Sequence, residues 1–349
     1  MKYYVDSHEN LIIGYDNKIE KIIRLDDPIN NIYRGSVQKK VKGIGVFIDL
    51  GDYMGYTQEK ISQSEGESVI VKVIKVPSEK EKALKVSTKL SVTGNAIILF
   101  DDDFIKVSSK INTEMRNRLL NFAQENSFKG VLFRTDSQNT TFEFLKEEYT
   151  NLKEKLNLLE SEKDRLPTPK LLYKETIANR INLKENEEIL FNDLELFKHY
   201  KNLKNSKLDA GFRIKYISEL VKDLNVLTER EVALPNGGNI TIEKTLAFTV
   251  IDVNSKGYNA RSSHEVVRKI NLDATKEIVR QILLRNISGA IIIDYIDSDE
   301  QIKKEIINLL KKELKQDGKN TTVYGFTRMG LLEMSRKNRG EELSNIWVR

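Results

Sequence analysis

The chain has 349 residues, 39 % hydrophobic and 31 % charged, which allows two or three domains with a sizeable core. The absence of cysteine excludes disulfides and thiolate metal sites, and three histidines (His8, His199, His264) leave little for a histidine-built centre; a bound ion would be held by oxygen, as Mg²⁺ or Mn²⁺ are. The net charge of +5 permits a polyanionic partner without demanding one. No apolar run reaches the length of a membrane span, and MKYYVDSHEN does not read as a signal peptide.

Residues 31–92 read as a small all-β unit. NIYRGSVQKKVKGIGVFIDLGDYMGYTQEK alternates short apolar stretches with glycine-bearing turns, and SVIVKVIKVPSEKEKALKVSTKL supplies two more strands around a polar turn. Five or so strands so spaced suit an OB-type barrel. In such barrels outward aromatic rings stack on bases while basic residues hold the backbone, and Phe47 and Tyr56, flanking the DLGDYMG turn, are the candidates. The same rings could equally fill the barrel core. Over 93–166, GVLFRTDSQNTTFEFL reads as a strand, the polar pair Arg134 and Thr135, and a loop into a long helix. Leu145, Tyr149, Leu152, Leu156 and Leu159 give that helix one apolar stripe, and Pro167 and Pro169 end it.

Residues 167–240 are the least legible. A helix is expected near FRIKYISELVKDLN, and REVALPNGGNITIE is a hairpin around Pro-Asn-Gly-Gly. Beyond it, an apolar strand over 246–253 meets a polar loop, a helix through NLDATKEIVRQILLRNI, and a buried strand AIIIDYID. A charged helix comes next, its start resembling a capping box of Ser298 and Gln301, and then a strand-like TTVYGFTRMGLLEMS. This β-α-β-α-β order predicts a largely parallel sheet.

Asp252 and Asn254 share one face of their strand by period-two alternation, and Asp294 ends the next strand. If the strands are parallel neighbours about 4.8 Å apart, both carboxylates emerge at one edge. Two carboxylates so placed repel unless a cation lies between them, and an oxygen-rich pair suits a Mg²⁺ that keeps several waters. Such an ion can stabilise charge on a phosphodiester and bring a water into attacking range. The plainer reading is an Asx-turn at each strand end. Lys256, Arg261 and Arg268 in the loop after the first strand, with Arg280 and Arg285 on the helix, fit a polyanionic substrate or are simply solvated charges, and His264 reads as exposed.

FTVIDVNS, INLDATKEIVRQILLRNISGAIIIDYID and GFTRMGLLEMSRK, in that order and spacing, resemble the catalytic domain of the ribonuclease E/G family over about residues 232–337. NIYRG, VFIDLG and EGESVIVKV resemble its RNA-binding barrel, VLFRTD its 5′-end sensor, and REVALPNGG the join between sensor half and catalytic half. The resemblance implies an α+β and α/β multidomain chain. An RNase H-like base (1–30 and 167–240) would be split around an OB-fold barrel (31–92) and a 5′-sensor region (93–166), followed by a DNase I-like catalytic domain (241–349). It also implies a cytoplasmic, Mg²⁺-dependent endoribonuclease of RNA processing and mRNA decay, with Mn²⁺ as a substitute. Such an enzyme cuts single-stranded AU-rich RNA to 5′-phosphate and 3′-hydroxyl products. Its metal-binding aspartates fall on Asp252 and Asp294, its assisting asparagine on Asn254, its 5′-monophosphate-reading pair on Arg134 and Thr135, and its stacking aromatics on Phe47 and Tyr56. Lys256, Arg261 and Arg268 would contact RNA. The family's CxxC zinc link between two subunits has no counterpart here, so neither zinc nor a zinc-linked dimer is expected. Two other classes compete: a non-catalytic RNA-binding protein retaining the fold, and a DNA-directed phosphodiesterase.

Overall fold

The computed structural model describes residues 1–77, 82–184, 186–203, 205–235, 237–255, 264–337 and 340–347. The chain is mixed α and β and divides into two compact units, one of Met1–Asp26 with Asn186–Arg349, the other of Asp27–Glu185.

In the second unit, strands Ile32–Val41, Gly45–Asp49, Met54–Thr57, Leu84–Ser87 and Ser68–Lys75 neighbour one another in that order, and the last pairs back onto the first. The result is a closed five-stranded barrel. Alternation sends Val46, Ile48, Leu84 and Val86 into its core with Tyr33, Val37, Val69, Val71 and Val73. Strand Lys170–Tyr173 adds antiparallel to Ile32–Val41. Residues 167–184, grouped by sequence with the region after them, therefore fold with the barrel. A four-stranded sheet (Ser91–Thr93, Ile97–Phe100, Ile105–Val107, Val131–Phe133) shares one core with helices Thr113–Glu125 and Phe142–Ser161. The Thr141 side chain caps the longer helix by accepting the Phe144 N–H, and all five residues of the expected apolar stripe are buried.

In the first unit, strands Lys2–Asp6, Leu11–Tyr15 and Ile19–Arg24 form an antiparallel meander onto which Glu188–Phe191 and Ser206–Leu208 add in parallel. Asp6, fully buried, joins these distant pieces. Its Oδ1 accepts from the backbone N–H of His8 and Glu9 and from Asn192 Nδ2 (2.7 Å), and its Oδ2 from the Ile214 N–H (2.7 Å).

The unit's other sheet runs Glu231–Ala233, Asn239–Lys244, Phe248–Asn254, Gly289–Asp294, Leu332–Arg336, Thr321–Phe326. Only Phe248–Asn254 and Gly289–Asp294 pair in parallel among the described strands of this sheet, which corrects the expectation of a largely parallel sheet. The stretch taken as one strand is a hairpin, and the few residues of its turn can join only antiparallel strands. Helices His264–Leu284 and Glu300–Glu313 pack on one sheet face, where Ile251, Val253, Ile291, Ile293, Leu332 and Met334 meet Ile270, Ile278, Ile302 and Ile306. The opposite face carries the exposed Phe248, Asn254, Ala290, Asp294 and Glu333. The second helix is capped by Asp299, whose side chain accepts the Ile302 N–H, and not by Ser298.

Candidate functional site

Asp252 and Asp294 are direct register partners on the parallel pair, the last rung before the strands part. Both project from the face that the helices leave open: Asp252 is half-buried and Asp294 exposed. Partial burial and the neighbouring Asp252 carboxylate hold the Asp294 carboxyl above the usual carboxylate range. Asn254, two residues on and on the same face, donates from Nδ2 to Asp252 Oδ2 at 2.6 Å. The bond orients the carboxylate and leaves the amide oxygen of Asn254 for another donor. Just before the adjoining strand, Gly238 (φ +86°) lies so close that a Cβ would sit 2.5 Å from the Asn254 carbonyl oxygen. The Pro-Asn-Gly-Gly hairpin thus needs glycine there to let two backbones approach at the strand end.

The backbone beyond Asp294 is held from the long helix. Asn271, fully buried, donates from Nδ2 to the Ile296 carbonyl (2.8 Å) and accepts the Ile296 N–H at Oδ1 (3.2 Å). One turn along, Thr275 Oγ1 lies 3.0 Å from the Tyr295 hydroxyl. Sequence reading missed both, because each looks like an ordinary helix residue until its partner across the fold is known.

A divalent ion fits this donor set. Two carboxylates in register, one already reluctant to ionise beside the other, gain from a shared cation, and two protein oxygens suit an ion that keeps most of its waters. Among the described residues no group of three or more His, Cys, Asp or Glu could hold a metal. The fit therefore rests on the pair.

Several basic candidates lie elsewhere. Lys256 and Arg261 fall outside the described residues. Arg268 is on the helix, with Nε 2.8 Å from Glu305 and Nη1 3.0 Å from Glu265. Arg280 and Arg285 are turned inward, Arg280 to the Ile19 carbonyl and Glu277, Arg285 to the Val226 and Glu229 carbonyls and Gln281, so they serve packing and not a substrate edge. Burial pulls the Arg285 guanidinium down to about 10. His264 is exposed as expected, its Nε2 2.5 Å from Asp299.

On the barrel, Phe47 and Tyr56 face outward. They are half-buried register partners with rings 5.4 Å apart, while Val46, Ile48 and Thr57 point into the core. Register extends the pair into a row across the strands: Lys39 opposite Phe47, Lys85 beside Tyr56, and Lys75 opposite Lys85, all three lysines exposed. Two stacking rings flanked by cations match the alternation of base and phosphate in a single strand. The lysines escaped the sequence reading because only strand pairing puts them in line with the rings.

Arg134 and Thr135 leave strand Val131–Phe133 together. Arg134 Nη1 donates to the carbonyls of Gly94 (2.6 Å) and Asn95 (3.1 Å), and Nη2 to Asn182 Oδ1. Thr135 Oγ1 lies 3.0 Å from Ser108 Oγ. The loop supplying those carbonyls is itself pinned, since the Glu148 carboxylate accepts the N–H groups of Asn95, Ala96 and Ile97. Burial raises the Glu148 carboxyl above the usual range against the pull of those three donors and of Arg134.

The sequence model of the ribonuclease E/G family matches residues 91–339. A ribonuclease E/G-like protein of Pyropia yezoensis is 28 % identical over 97 % of this chain and 75 % of its own length. The proteins named ribonuclease G of Haemophilus influenzae and of Escherichia coli K12 are each 26 % identical over 91 % of this chain and 74 % of theirs.

Proposed function

The chain belongs to the ribonuclease E/G family, and from that premise we propose that it is a metal-dependent endoribonuclease of RNA processing and decay that cuts single-stranded, AU-rich RNA in the cytoplasm. The observation that carries this reading is the register pairing of Asp252 with Asp294, with Asn254 bonded to the first. These residues would hold Mg²⁺, or Mn²⁺ in its place. The ion, when bound, supplies charge neutralisation for the scissile phosphodiester and acidity for the attacking water.

The protein's own part is positional. Asn254 holds the Asp252 carboxylate by one hydrogen bond, Asn271 fixes the backbone beyond Asp294, and Thr275 meets the Tyr295 hydroxyl. Phe47 and Tyr56, with Lys39 and Lys85 in line, would hold two bases and the neighbouring phosphates of one strand. Arg134 and Thr135 would take a 5′-terminal monophosphate. Cleavage would leave 5′-phosphate and 3′-hydroxyl ends. In domain terms the split five-stranded sheet reads as an RNase H-like base, the barrel as an OB fold and the C-terminal sheet as DNase I-like. Among the described residues no helix is long and apolar enough to cross a membrane.

The test is cleavage of a short AU-rich single-stranded RNA with Mg²⁺, comparing the unaltered chain with Asp294→Asn and following RNA binding in parallel. Cutting that falls by on the order of 10²-fold or more in the variant, with binding retained, is the expected result. Binding without cleavage by either protein, with Mn²⁺ also tried, would make the chain a non-catalytic RNA-binding relative. Equal cutting of DNA of the same sequence would point to a general phosphodiesterase.

A further inference from the structure

We infer that Asn182 is a positioning residue of the 5′-end site, selecting which edge of the Arg134 guanidinium is offered to a terminal phosphate; the inference rests on Arg134 and Thr135 being that site. A guanidinium carries five N–H groups. Both protons of Nη1 go to the Gly94 and Asn95 carbonyls, and one of Nη2 goes to Asn182 Oδ1. Two protons remain, one on Nε and one on Nη2, and among the described residues no acceptor meets Nε, so the Nε edge is the one left to a ligand. That edge is a fork matched to two oxygens of one phosphate. Without Asn182 the group could turn about its last bonds and spend the same fork on protein carbonyls.

Asn182 is itself built into place. It sits at the C-cap of helix Ile177–Ile181 in the left-handed region (φ 52°, ψ 55°), a conformation asparagine tolerates better than most residues. Its N–H bonds back to the Ala178 and Asn179 carbonyls, and its Nδ2 donates to Asp136 Oδ2 at 3.3 Å. The donor contact settles which way the amide faces, so the oxygen is aimed at Arg134. Asn182 therefore ties Arg134, and Asp136 directly after Thr135, to a segment more than forty positions further along the chain. The partner chemistry is that of a terminal phosphate monoester, whose unesterified oxygens can meet the fork; the Thr135 hydroxyl, 3.0 Å from Ser108 Oγ, is the neighbouring hydroxyl donor.

The experiment compares one RNA carrying a 5′-monophosphate or a 5′-hydroxyl, cut by the full chain and by Asn182→Ala, Asn182→Asp and Arg134→Ala, with kcat and KM measured separately. Asn182→Ala is expected to lower the monophosphate-over-hydroxyl preference about fivefold, through KM. Asn182→Asp keeps an acceptor for Arg134 but sets a carboxylate against Asp136, and is expected to retain part of that preference, more than Asn182→Ala. The inference is overturned if Asn182→Ala keeps the full preference while Arg134→Ala loses it, or if it slows both RNAs in equal proportion, as a purely structural residue would. If Arg134→Ala also keeps the preference, or the unaltered chain has none, the assignment of the 5′-end site itself fails, and the role of Asn182 with it.

Discussion

A carboxylate at a strand end is an ordinary feature; two in the same rung are not. Burial first and the Asp252 carboxylate second push the Asp294 carboxyl above the usual range. A carboxyl with a folded pKa above its unfolded value costs stability when ionised, and the cost disappears as pH falls through the raised pKa. In metal-free protein, Asp294→Asn should therefore raise the melting temperature at neutral pH and lose that advantage on acidification. Mg²⁺ should add stability to the unaltered chain and little to the variant. Thermal melts across pH, with chelator or with Mg²⁺, check both; a variant less stable than its parent at neutral pH without metal would contradict the repulsion. Asp252, Asn254 and Asp294 could be picked out from the sequence because alternation along a strand is a local rule. Asn271 could not, since its two bonds to Ile296 cross twenty-five positions of chain.

At the scale of the element, the barrel turns five unremarkable residues into a track. Phe47 and Tyr56 were open between core and surface in the sequence, and the outward register decides for the surface. Phe47→Ala should weaken binding of a short single-stranded RNA by about 1–3 kcal/mol, and Lys85→Ala should lower the slope of log affinity against log salt by about 0.7, the share of one phosphate contact. Fluorescence anisotropy over a salt series reads both. An unchanged slope would place Lys85 off the path of the strand. The apolar stripe of the long helix Phe142–Ser161 was legible, because helical periodicity repeats over five turns; its Thr141 cap was not singled out. The hairpin at 321–336 was not, because its turn, Thr327 to Gly330, has few of the usual turn residues and the two strands merge into one apolar run.

For the whole molecule, the notable point is that the unit containing the carboxylate pair is assembled from both ends of the chain. Asp6 accepts four hydrogen bonds, two of them from groups at positions 192 and 214, and it does so in full burial. Asp6→Ala would strand those donors, and a loss of roughly 2–4 kcal/mol is expected on denaturant unfolding. The exposed Asp16→Ala should cost far less; equal losses would show that Asp6 is no such staple.

The sequence alone determined the elements with long local periodicity, the lack of any thiolate metal ligand, the spacing of Asp252 and Asn254, and the family blocks around them. Tertiary structure decided that Asp252 and Asp294 share a rung, that Arg280 and Arg285 face inward, that Lys39 and Lys85 line up with two rings, and that Asn182 reaches Arg134. The physical reason is the range of the forces involved. Alternation, capping and helical stripes are set within a few residues, whereas a strand register or a buried side-chain bond is chosen by packing among segments that the chain brings together only once it has folded.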